Sequence, residues 1–347
     1  MRHEPPIDRD ALAEAVRGAY GLAPASLTFV PVGYAAACYD LRDEGGRRRF
    51  LKLWPATGAG RAAAARLDAT LPLLVALAGQ GIRVPAPLPT RQGGLAASFA
   101  GQPFALFPFV VGRAPPPWSA WPPALQAELG RTLAAIHLAT PRLARLLPAR
   151  DPLETTFEAE LRRGLAALER LEGGARPGQR ALRESVLPRA GEMLAQLDRL
   201  AALRALVRRE GAPLVLCHTD IGADNLRLDR AGRLTVLDWD EATIAPPEHD
   251  LQDLRGPVLA GILVAYLAAG GVRALSLDRF AFALLGRHLG DATARLTRIL
   301  DEPLSPAEDA DALAGIEAWG FAQWRALERT LDGVAAALSR AGVESAG

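Results

Sequence analysis

A short apolar strand that ends in polar residues constrains this chain more than any other segment. Residues 213–220 begin with Pro-Leu-Val-Leu-Cys and end at His218 and Asp220. A loop leads on to Asn225, and the pattern then predicts a hairpin, with the turn Asp-Arg-Ala-Gly between two apolar strands. The hairpin ends at Asp238. We therefore expect carboxylates and an amide from neighbouring β segments to meet in one cleft.

Phosphoryl transfer from ATP needs a set of side chains of this kind. A carboxylate must orient the attacking hydroxyl group and accept its proton, and oxygen ligands must hold Mg²⁺. A compact cation must also contact the phosphates that are not transferred. Lys52, in the predicted strand 49–54, supplies that cation, because an ammonium group makes a point contact where the wider fork of arginine does not fit.

Two residue types occur only once among the 347 residues, lysine at Lys52 and asparagine at Asn225. All the other residues among the 40 lysines and arginines are arginine, so arginine is accepted at every other cationic position of this pair. A lysine retained in such a composition indicates a position where arginine cannot serve. Both single residues fall where phosphoryl transfer requires them, which strengthens that hypothesis.

The hydrophobic pattern divides the chain into a β-rich part and a helical part. Residues 1–110 predict a small α+β unit with about five strands, and residues 111–347 predict mainly helices around one hairpin. The predicted elements before residue 111 are helices over 8–21 and 60–78, and strands over 26–32, 38–42, 49–54, 94–99 and 103–110. Later helices are predicted over 124–140, 155–172 and 180–209, and from the hairpin to residue 337.

Charge and cysteine content argue against several classes of function. Forty basic against 39 acidic side chains leave a net charge of +1, which disfavours nucleic-acid binding and a polybasic membrane surface. Cys38 and Cys217 fit neither a disulfide framework nor a zinc site, and no signal-peptide core is evident, so we expect a cytoplasmic protein. The uncharged runs 92–112 and 256–272 are interrupted by Gly and Pro or too short, so no membrane span is expected.

Two segments carry a resemblance to a known family. They read His-Thr-Asp-Ile-Gly-Ala-Asp-Asn at 218–225 and Leu-Asp-Trp-Asp-Glu-Ala-Thr-Ile-Ala-Pro-Pro-Glu-His-Asp-Leu at 237–251. The chain resembles the aminoglycoside phosphotransferase / choline kinase superfamily, and the end of the second segment is most similar to the spectinomycin-phosphotransferase-like branch. This resemblance implies a bilobal protein-kinase-like α+β fold. It implies a nucleotide-binding N-lobe over 1–110 and a helical C-lobe over 111–347 with the catalytic loop, the hairpin and the acceptor site.

The resemblance also assigns roles to the singled-out residues, with ATP and Mg²⁺ as cofactors. Asp220 would be the catalytic base, and Asn225 and Asp238 would be the magnesium ligands. His218 would be the structural histidine that supports the catalytic loop, and Lys52 would pair with phosphate.

Residues of the N-lobe would bind the nucleotide. The loop that covers the nucleotide contains Gly33, where many relatives have several glycines, and its remaining residues are mostly small. The segment with Phe107 and Phe109 would be the hinge whose backbone meets adenine.

Two further acids have supporting roles by the same resemblance. Relatives place a glutamate opposite the phosphate-pairing lysine, but this chain has Thr70 near that register and Asp68 as the nearest acid. The ion pair of Lys52 would therefore come from Asp68 or be absent. Asp240 could add to the metal site, but we favour a role in orienting the loop.

The phosphate acceptor is expected to be a small polar molecule with a hydroxyl group. An aminoglycoside or aminocyclitol would need carboxylates against its ammonium groups, and sugars and amino alcohols remain open as primary-metabolite acceptors. The candidate acceptor contacts are Asp224, Glu248, Asp253 and Asp291.

Other interpretations of the sequence have weaker support than a small-molecule kinase. Residues 58–63 match the dinucleotide pattern G-x-G-x-x-A, but no strand–helix alternation follows and no acid ends a second strand. A protein kinase would need an activation segment longer than the roughly ten residues after Asp240 allow. A non-catalytic nucleotide-binding module is the remaining alternative, and the complete set of catalytic residues disfavours it.

Overall fold

A computed structural model describes residues 3–33, 35–147, 151–171 and 175–343. The chain begins with α1 (Arg9–Tyr20), β1 (Pro24–Val30), β2 (Ala37–Asp43), β3 (Arg48–Leu53), α2 (Gly58–Ala64), α3 (Leu67–Gly79), β4 (Ala97–Phe99) and β5 (Gln102–Pro108). These five strands form one antiparallel sheet in the order β1-β2-β3-β5-β4. The predicted small α+β unit with about five strands is thereby confirmed.

Alternation along β3 gives the sheet its two faces. Leu51 and Leu53 are completely buried in a core that α1 closes with Leu12 and Val16. The residue between them, Lys52, is on the opposite face of the strand. In register with it are Cys38 on β2 and Ala105 on β5. The lysine therefore projects from the sheet face that α1 leaves uncovered.

The polypeptide continues through helices to a second group of strands. These elements are α4 (Pro123–Leu138), α5 (Thr140–Leu143), α6 (Glu158–Glu169), α7 (Pro177–Val186), α8 (Ala190–Glu210), β6 (Val215–Cys217), β7 (Leu226–Leu228), β8 (Leu234–Val236) and β9 (Thr243–Ala245). β7 and β8 form the predicted hairpin, with Leu226 opposite Val236. β6 and β9 form another two-stranded sheet.

The last part of the chain is helical. It contains α9 (Glu248–Leu251), α10 (Gly256–Ala268), α11 (Leu277–Asp301), α12 (Pro306–Ile316), a π-helical turn (Glu317–Phe321), α13 (Ala322–Arg325) and α14 (Leu327–Arg340). The long helix α11 contributes Phe282, Leu285, Leu289 and Leu296 to a core shared with α6, α7, α8 and α12. Burial of this apolar stripe is the main reason that these helices pack together.

The chain forms two compact units. Unit 1 comprises residues 1–149, 215–244 and 265–271, and unit 2 comprises residues 150–214, 245–264 and 272–347. The loop from β6 and the β7–β8 hairpin therefore belong to the same unit as the five-stranded sheet. The lobe boundary expected at residue 110 stays a prediction, because the two compact units are not the predicted lobes.

Some predicted elements differ from the observed ones. The helix predicted over 60–78 is two helices, α2 and α3, which meet at an angle of 55°. The helix predicted over 180–209 is also interrupted, by a 3₁₀ turn at Leu187–Arg189 that contains Pro188. β9 was not predicted, because three residues are too short for a recognisable alternation.

Within the described ranges, no single helix is both long enough and apolar enough to cross a membrane. The bent pair α2 and α3 reaches that length and apolar character only when the two helices are taken together.

One arginine holds the carboxyl end of α11 in unit 2. The guanidinium group of Arg176 donates hydrogen bonds to the carbonyl oxygens of Ile299 at 2.7 Å, Glu302 at 2.9 Å and Leu304 at 3.1 Å. It also pairs with the buried carboxylate of Asp309 at 2.8 Å. Ile299 is in the last turn of α11, where carbonyl groups have no partner within the helix, so Arg176 supplies a hydrogen-bond donor that the helix itself lacks.

We predict that Arg176→Ala destabilises unit 2 by about 3 kcal/mol, because it leaves a buried carboxylate without its cation. Arg176→Lys should have an intermediate effect, since one ammonium group cannot reach all four acceptors. Arg162→Ala is the matched control, because Arg162 and Asp198 are exposed and 3.9 Å apart, and it should cost less than about 1 kcal/mol. Chemical denaturation measures all three, and equal losses in Arg176→Ala and Arg162→Ala would contradict this account.

Candidate active site

A buried histidine connects the loop after β6 to the hairpin. The backbone N–H of Asp220 donates to Nδ1 of His218 at 3.2 Å, so this nitrogen is an acceptor. The other ring nitrogen, Nε2, therefore carries the proton and donates to the carbonyl oxygen of Leu237 at 2.7 Å. His218 is completely buried, so both bonds are shielded from water. Both bonds can hold the loop against the hairpin, and the supporting role of His218 stays a prediction.

An aromatic contact holds the histidine from the side. The Trp239 ring lies 4.9 Å from the His218 ring at an interplanar angle of 75°. The indole N–H of Trp239 donates to the carbonyl oxygen of Val236 at 3.1 Å, which ties the ring to β8. Edge-to-face packing of this kind adds to the burial of both rings.

The only asparagine holds the proposed catalytic carboxylate. The side-chain amide of Asn225 donates to Oδ2 of Asp220 at 2.8 Å and to the carbonyl oxygen of the same residue at 3.0 Å. The backbone of Asn225 accepts a hydrogen bond from Leu237 N at 2.8 Å. Because the amide nitrogen points at Asp220, the amide oxygen points away from it and is an oxygen ligand that a metal could use.

The only lysine lies between two carboxylates of the segment after β8. Lys52 Nζ is 2.6 Å from Oδ1 of Asp238 and 3.2 Å from Oδ2 of Asp240. The indole N–H of Trp54 donates to the same oxygen of Asp240 at 3.3 Å. The structure thus brings the β3 lysine together with the Asp-Trp-Asp sequence in unit 1.

The charges of Lys52 and of the two carboxylates shift one another's pKa values. Burial would lower the pKa of Lys52, but the carboxylates of Asp240 and Asp238 outweigh it and hold that pKa above its usual value. The positive charge of Lys52 in turn lowers the pKa of Asp238 in spite of its partial burial. Both members of this pair are therefore charged over the physiological pH range.

Backbone strain is concentrated at the same place. Thr219 has φ +72° and Asp238 has φ +58°, and such values are uncommon for residues other than glycine. A β-branched threonine is particularly disfavoured there, although its hydroxyl donates to the carbonyl oxygen of Glu241 at 3.3 Å. Strained residues of this kind cluster at functional sites, where the surrounding contacts keep them in position.

An arginine that sequence reasoning missed holds the segment after Asp240. Arg66, at the junction of α2 and α3, pairs with Glu241 at 2.7 Å and donates to the carbonyl oxygen of Ala242 at 2.6 Å. The partners are about 175 positions apart in the chain. No local pattern could have indicated this contact.

Asp68 is not at the site. It is exposed on α3, and Lys52 contacts Asp238 and Asp240 instead. Of the two alternatives predicted for Lys52, an ion pair with Asp68 or no ion pair, the described residues show neither, since Lys52 is paired but not with Asp68. The single helix predicted over 60–78 is interrupted between α2 and α3, just before Asp68.

The predicted nucleotide contacts lie in and beside the sheet. Gly33 has φ +70° in the turn between β1 and β2, and open space surrounds the position that a Cβ would take. Tyr34 of the same turn lies outside the described residues. Phe107 is buried on β5, opposite Phe50 of β3. Phe109 follows β5, and the Arg48 guanidinium carbon lies 3.4 Å from the centre of its ring.

The segment after Phe109 is joined to the hairpin. The backbone N–H of Arg113 donates to the carbonyl oxygen of Leu228 at 3.1 Å, and Leu228 N donates back to Arg113 at 2.8 Å. A Cβ at Gly112 would lie 2.9 Å from that same carbonyl oxygen, so glycine permits this close approach. The chain that follows the predicted hinge segment is thus held against β7 within unit 1, and the hinge role of Phe107 and Phe109 stays a prediction.

The four predicted acceptor contacts do not share one unit. Asp224 is exposed in the 3₁₀ turn Ala223–Asn225 of unit 1. Asp253 is half-buried in unit 2, where Asp291 pairs with Arg287 at 3.2 Å. The charge of Asp291 is thus already paired within its own helix.

Glu248, which we expected among the acceptor contacts, lies in the protein interior instead. It is completely buried in unit 2, where its Oε1 accepts hydrogen bonds from Arg279 Nε at 2.9 Å and from Ser276 N at 3.0 Å. Burial raises the pKa of Glu248, although Arg279 opposes that shift. Its place is a buried ion pair of the helical core, and we do not propose it as an acceptor contact.

The ion pair at Lys52 predicts a pH dependence of stability. The pKa of Asp238 in the unfolded chain is about 3.9, and Lys52 lowers it in the folded protein. The unfolded chain therefore takes up the proton first as the pH falls, so the contribution of the pair is present above about pH 4 and is lost as the pH falls through the folded pKa. Between about pH 5 and pH 2, the free energy of unfolding should fall more steeply in wild type than in Asp238→Asn.

Chemical denaturation at a series of pH values measures these slopes. Asp224→Asn, which removes an exposed carboxylate from the same unit, is the matched control and should keep the wild-type slope. An Asp238→Asn slope equal to that of wild type would show that the ion pair contributes nothing to folding.

Two curated relatives resemble the chain in sequence. Protein StrN of Streptomyces griseus is 28% identical over 257 residues, which cover 67% of this chain and 75% of the relative. A homoserine kinase of Rhizobium johnstonii is 31% identical over 157 residues, which cover 45% of this chain and 42% of the relative.

A solved structure and a family model define the relationship. A crystal structure of a spectinomycin phosphotransferase with ADP and spectinomycin matches with a TM-score of 0.69 and 19% identity, over 90% of this chain and 94% of that one. At this identity the match confirms the predicted kinase-like α+β fold. The model described as the phosphotransferase enzyme family matches residues 26–283, a span that includes Lys52, Asp220, Asn225 and Asp238. The predicted phosphotransferase class is confirmed, and the chain belongs to the phosphotransferase enzyme family.

Proposed function

We propose that the protein is an ATP- and Mg²⁺-dependent kinase that transfers the γ-phosphate to a hydroxyl group of a small polar molecule. One observation carries this proposal. In unit 1, the single lysine contacts Asp238, and the backbone of the preceding Leu237 is hydrogen-bonded to both His218 and Asn225. A cation, two carboxylates and an amide are thereby joined in one continuous network, and phosphoryl transfer requires that combination.

Asn225 and Asp238 would hold Mg²⁺. Their side chains offer an amide oxygen and a carboxylate, which are the hard oxygen ligands that this cation prefers. Asp238 is 39% exposed, so its carboxylate is accessible to a ligand from solvent. When bound, the metal ion supplies positive charge to the phosphate oxygens. The donor set therefore fits the group.

Lys52 would bind the phosphates that are not transferred. Its ammonium group lies on the sheet face opposite the α1 core, and its charge is maintained by Asp240 and Asp238. The turn at Gly33 and the segment with Phe107 and Phe109 would contact the rest of the nucleotide. The binding of ADP by the structurally similar spectinomycin phosphotransferase supports this assignment.

Asp220 would act as the general base. It takes the proton from the acceptor hydroxyl while the hydroxyl oxygen forms a bond to the γ-phosphorus atom. The bond between that phosphorus and the bridging oxygen of ADP breaks, and ADP leaves with the electron pair. The hydrogen bond from Asn225 keeps the carboxylate of Asp220 in a fixed orientation for this transfer.

The acceptor would be a small hydroxylated molecule, with an aminoglycoside or aminocyclitol as the first candidate class. The exposed carboxylate of Asp224, four residues after Asp220, could meet an ammonium group of such a molecule. The relative that is a homoserine kinase favours a second class, primary metabolites that carry both an amino group and a hydroxyl group. We propose no nucleic-acid or membrane partner, and a cytoplasmic location agrees with the use of ATP.

A screen for ADP release tests the acceptor. Purified protein with ATP and Mg²⁺ is offered aminoglycosides, aminocyclitols, amino alcohols and sugars, and we expect acceptor-dependent ADP release within one of these classes. Nucleotide binding without ADP release across the panel would favour the non-catalytic alternative.

The variant Asp220→Asn tests the base. We expect kcat to fall by about 10²–10⁴-fold, because the general base is lost. The dissociation constant for ATP should change little, since Asp220 is assigned to the acceptor and not to the nucleotide. Turnover within a few-fold of wild type would remove Asp220 from the mechanism.

The variant Lys52→Arg tests the phosphate contact. The charge is kept, but the wider guanidinium fork cannot take the place of an ammonium group between Asp238 and Asp240. We expect kcat/KM for ATP to fall by about tenfold or more. Normal kinetics would make the single lysine an accident of composition.

A further inference from the structure

The single lysine needs one carboxylate that stays with it when the nucleotide binds. We propose that Asp240 is this positioning residue, and that it holds Lys52 toward the phosphates in place of an acid from the helices that follow β3. The inference rests on the proposed function, because it concerns the side chain that is assigned to the phosphates. It is carried by the contacts of Lys52, Asp240 and Trp54 within unit 1.

The helices after β3 offer no alternative. Asp68 is the only acidic residue between residues 54 and 90, and it is exposed on α3. The described ion pairs of Lys52 instead join it to Asp238 and Asp240, which follow it in the chain by 186 and 188 positions. One of these two must be the lasting partner.

Asp238 is the less suitable of the two. It is assigned to the metal ion, so its carboxylate has to serve a second cation when Mg-ATP binds. It is also 39% exposed, against 21% for Asp240, and its backbone is in the strained left-handed region. A carboxylate that is shared with a metal ion attracts a neighbouring ammonium group less strongly.

Asp240 is held by a second donor. Its Oδ2 accepts from Lys52 Nζ at 3.2 Å and from the indole N–H of Trp54 at 3.3 Å. Trp54 is buried, and its backbone N–H donates to the carbonyl oxygen of Pro103 at 3.0 Å beside the sheet. The indole group is therefore anchored to the same sheet that carries Lys52. The carboxylate of Asp240 bridges the ammonium group of Lys52 and the indole N–H of Trp54.

The residue between the two acids separates their roles. Trp239 is buried against His218, whereas both of its neighbours reach Lys52. Asp238 follows Leu237 directly and so is coupled to the catalytic loop through the bonds of Leu237 to His218 and Asn225. Asp240 is coupled to the sheet through Trp54. One acid thus belongs with the metal ligands and the other with the phosphate-binding lysine.

The decisive measurement is ADP binding with and without metal, because a lysine contact persists when the metal is removed. Calorimetric titration of Asp240→Asn should give a dissociation constant for ADP about tenfold higher than that of wild type, both with Mg²⁺ and with a chelator. Asp68→Asn is the matched control, the same substitution at the acid that does not reach Lys52, and it should bind ADP as wild type does.

Three results would overturn the proposal. Wild-type affinity in Asp240→Asn would show that Asp240 does not position Lys52. A loss seen only with Mg²⁺ would make Asp240 a metal ligand. A loss of the same size in Asp68→Asn would point to a general effect of removing acids from this unit. If wild type itself binds no ADP under either condition, the proposed function fails, which is a different outcome from these three.

A second readout needs no nucleotide. Because Lys52 is the only lysine, the rate at which an amine-reactive reagent acylates it can be followed by mass spectrometry of a single peptide. In the free protein, Asp240→Asn and Trp54→Phe should both raise that rate by several-fold, because each loosens the group that holds Lys52.

Trp121→Phe is the control for the tryptophan change, since the indole N–H of Trp121 also donates a hydrogen bond, in this case to the carbonyl oxygen of Pro116 at 2.8 Å. It should leave the acylation rate of Lys52 unchanged. An unchanged rate in Asp240→Asn and in Trp54→Phe would contradict the proposal, whatever the protein phosphorylates.

Discussion

Both backbone polar groups of Leu237 are used to fasten the catalytic loop to the hairpin, and the rest of the site depends on this. Its carbonyl oxygen accepts from His218 and its N–H donates to Asn225. His218 also orients Asp220 through the backbone, and Asp238 is the next residue after Leu237. The residues assigned to the acceptor and to the metal are thus connected by short hydrogen bonds in a buried setting, where such bonds are least disturbed by water.

Electrostatic balance explains how so many carboxylates can be placed near the sheet. Lys52 carries the positive charge between Asp238 and Asp240, so neither acid is isolated in its partly buried position. In the proposed catalytic state the metal ion and the phosphates bring their own charges, and the lysine then serves both the nucleotide and one of the acids. This double use explains why a compact ammonium group is retained in a chain that otherwise uses arginine.

The strands and the hairpin of the site could be predicted from the sequence, whereas the contacts between residues far apart in the chain could not. The pattern over 49–54 placed Lys52 on a strand, and the apolar strand and hairpin indicated that Asn225 and Asp238 lie near each other. The partners of Lys52 were not predictable, because Asp238 and Asp240 follow it in the chain by 186 and 188 positions. The buried contact between Glu248 and Arg279, which are 31 positions apart, likewise leaves no local signal in the sequence.

We propose above that one site in this chain binds Mg-ATP through Lys52, Asn225 and Asp238. Calorimetric titration of the wild-type protein with ATP, in Mg²⁺ and again in a chelator, measures this binding. We expect one molecule of ATP bound per chain, with an affinity that Mg²⁺ increases, because the oxygen ligands of Asn225 and Asp238 then contribute. ATP binding that does not depend on magnesium, or no ATP binding at all, would contradict the assignment of these residues.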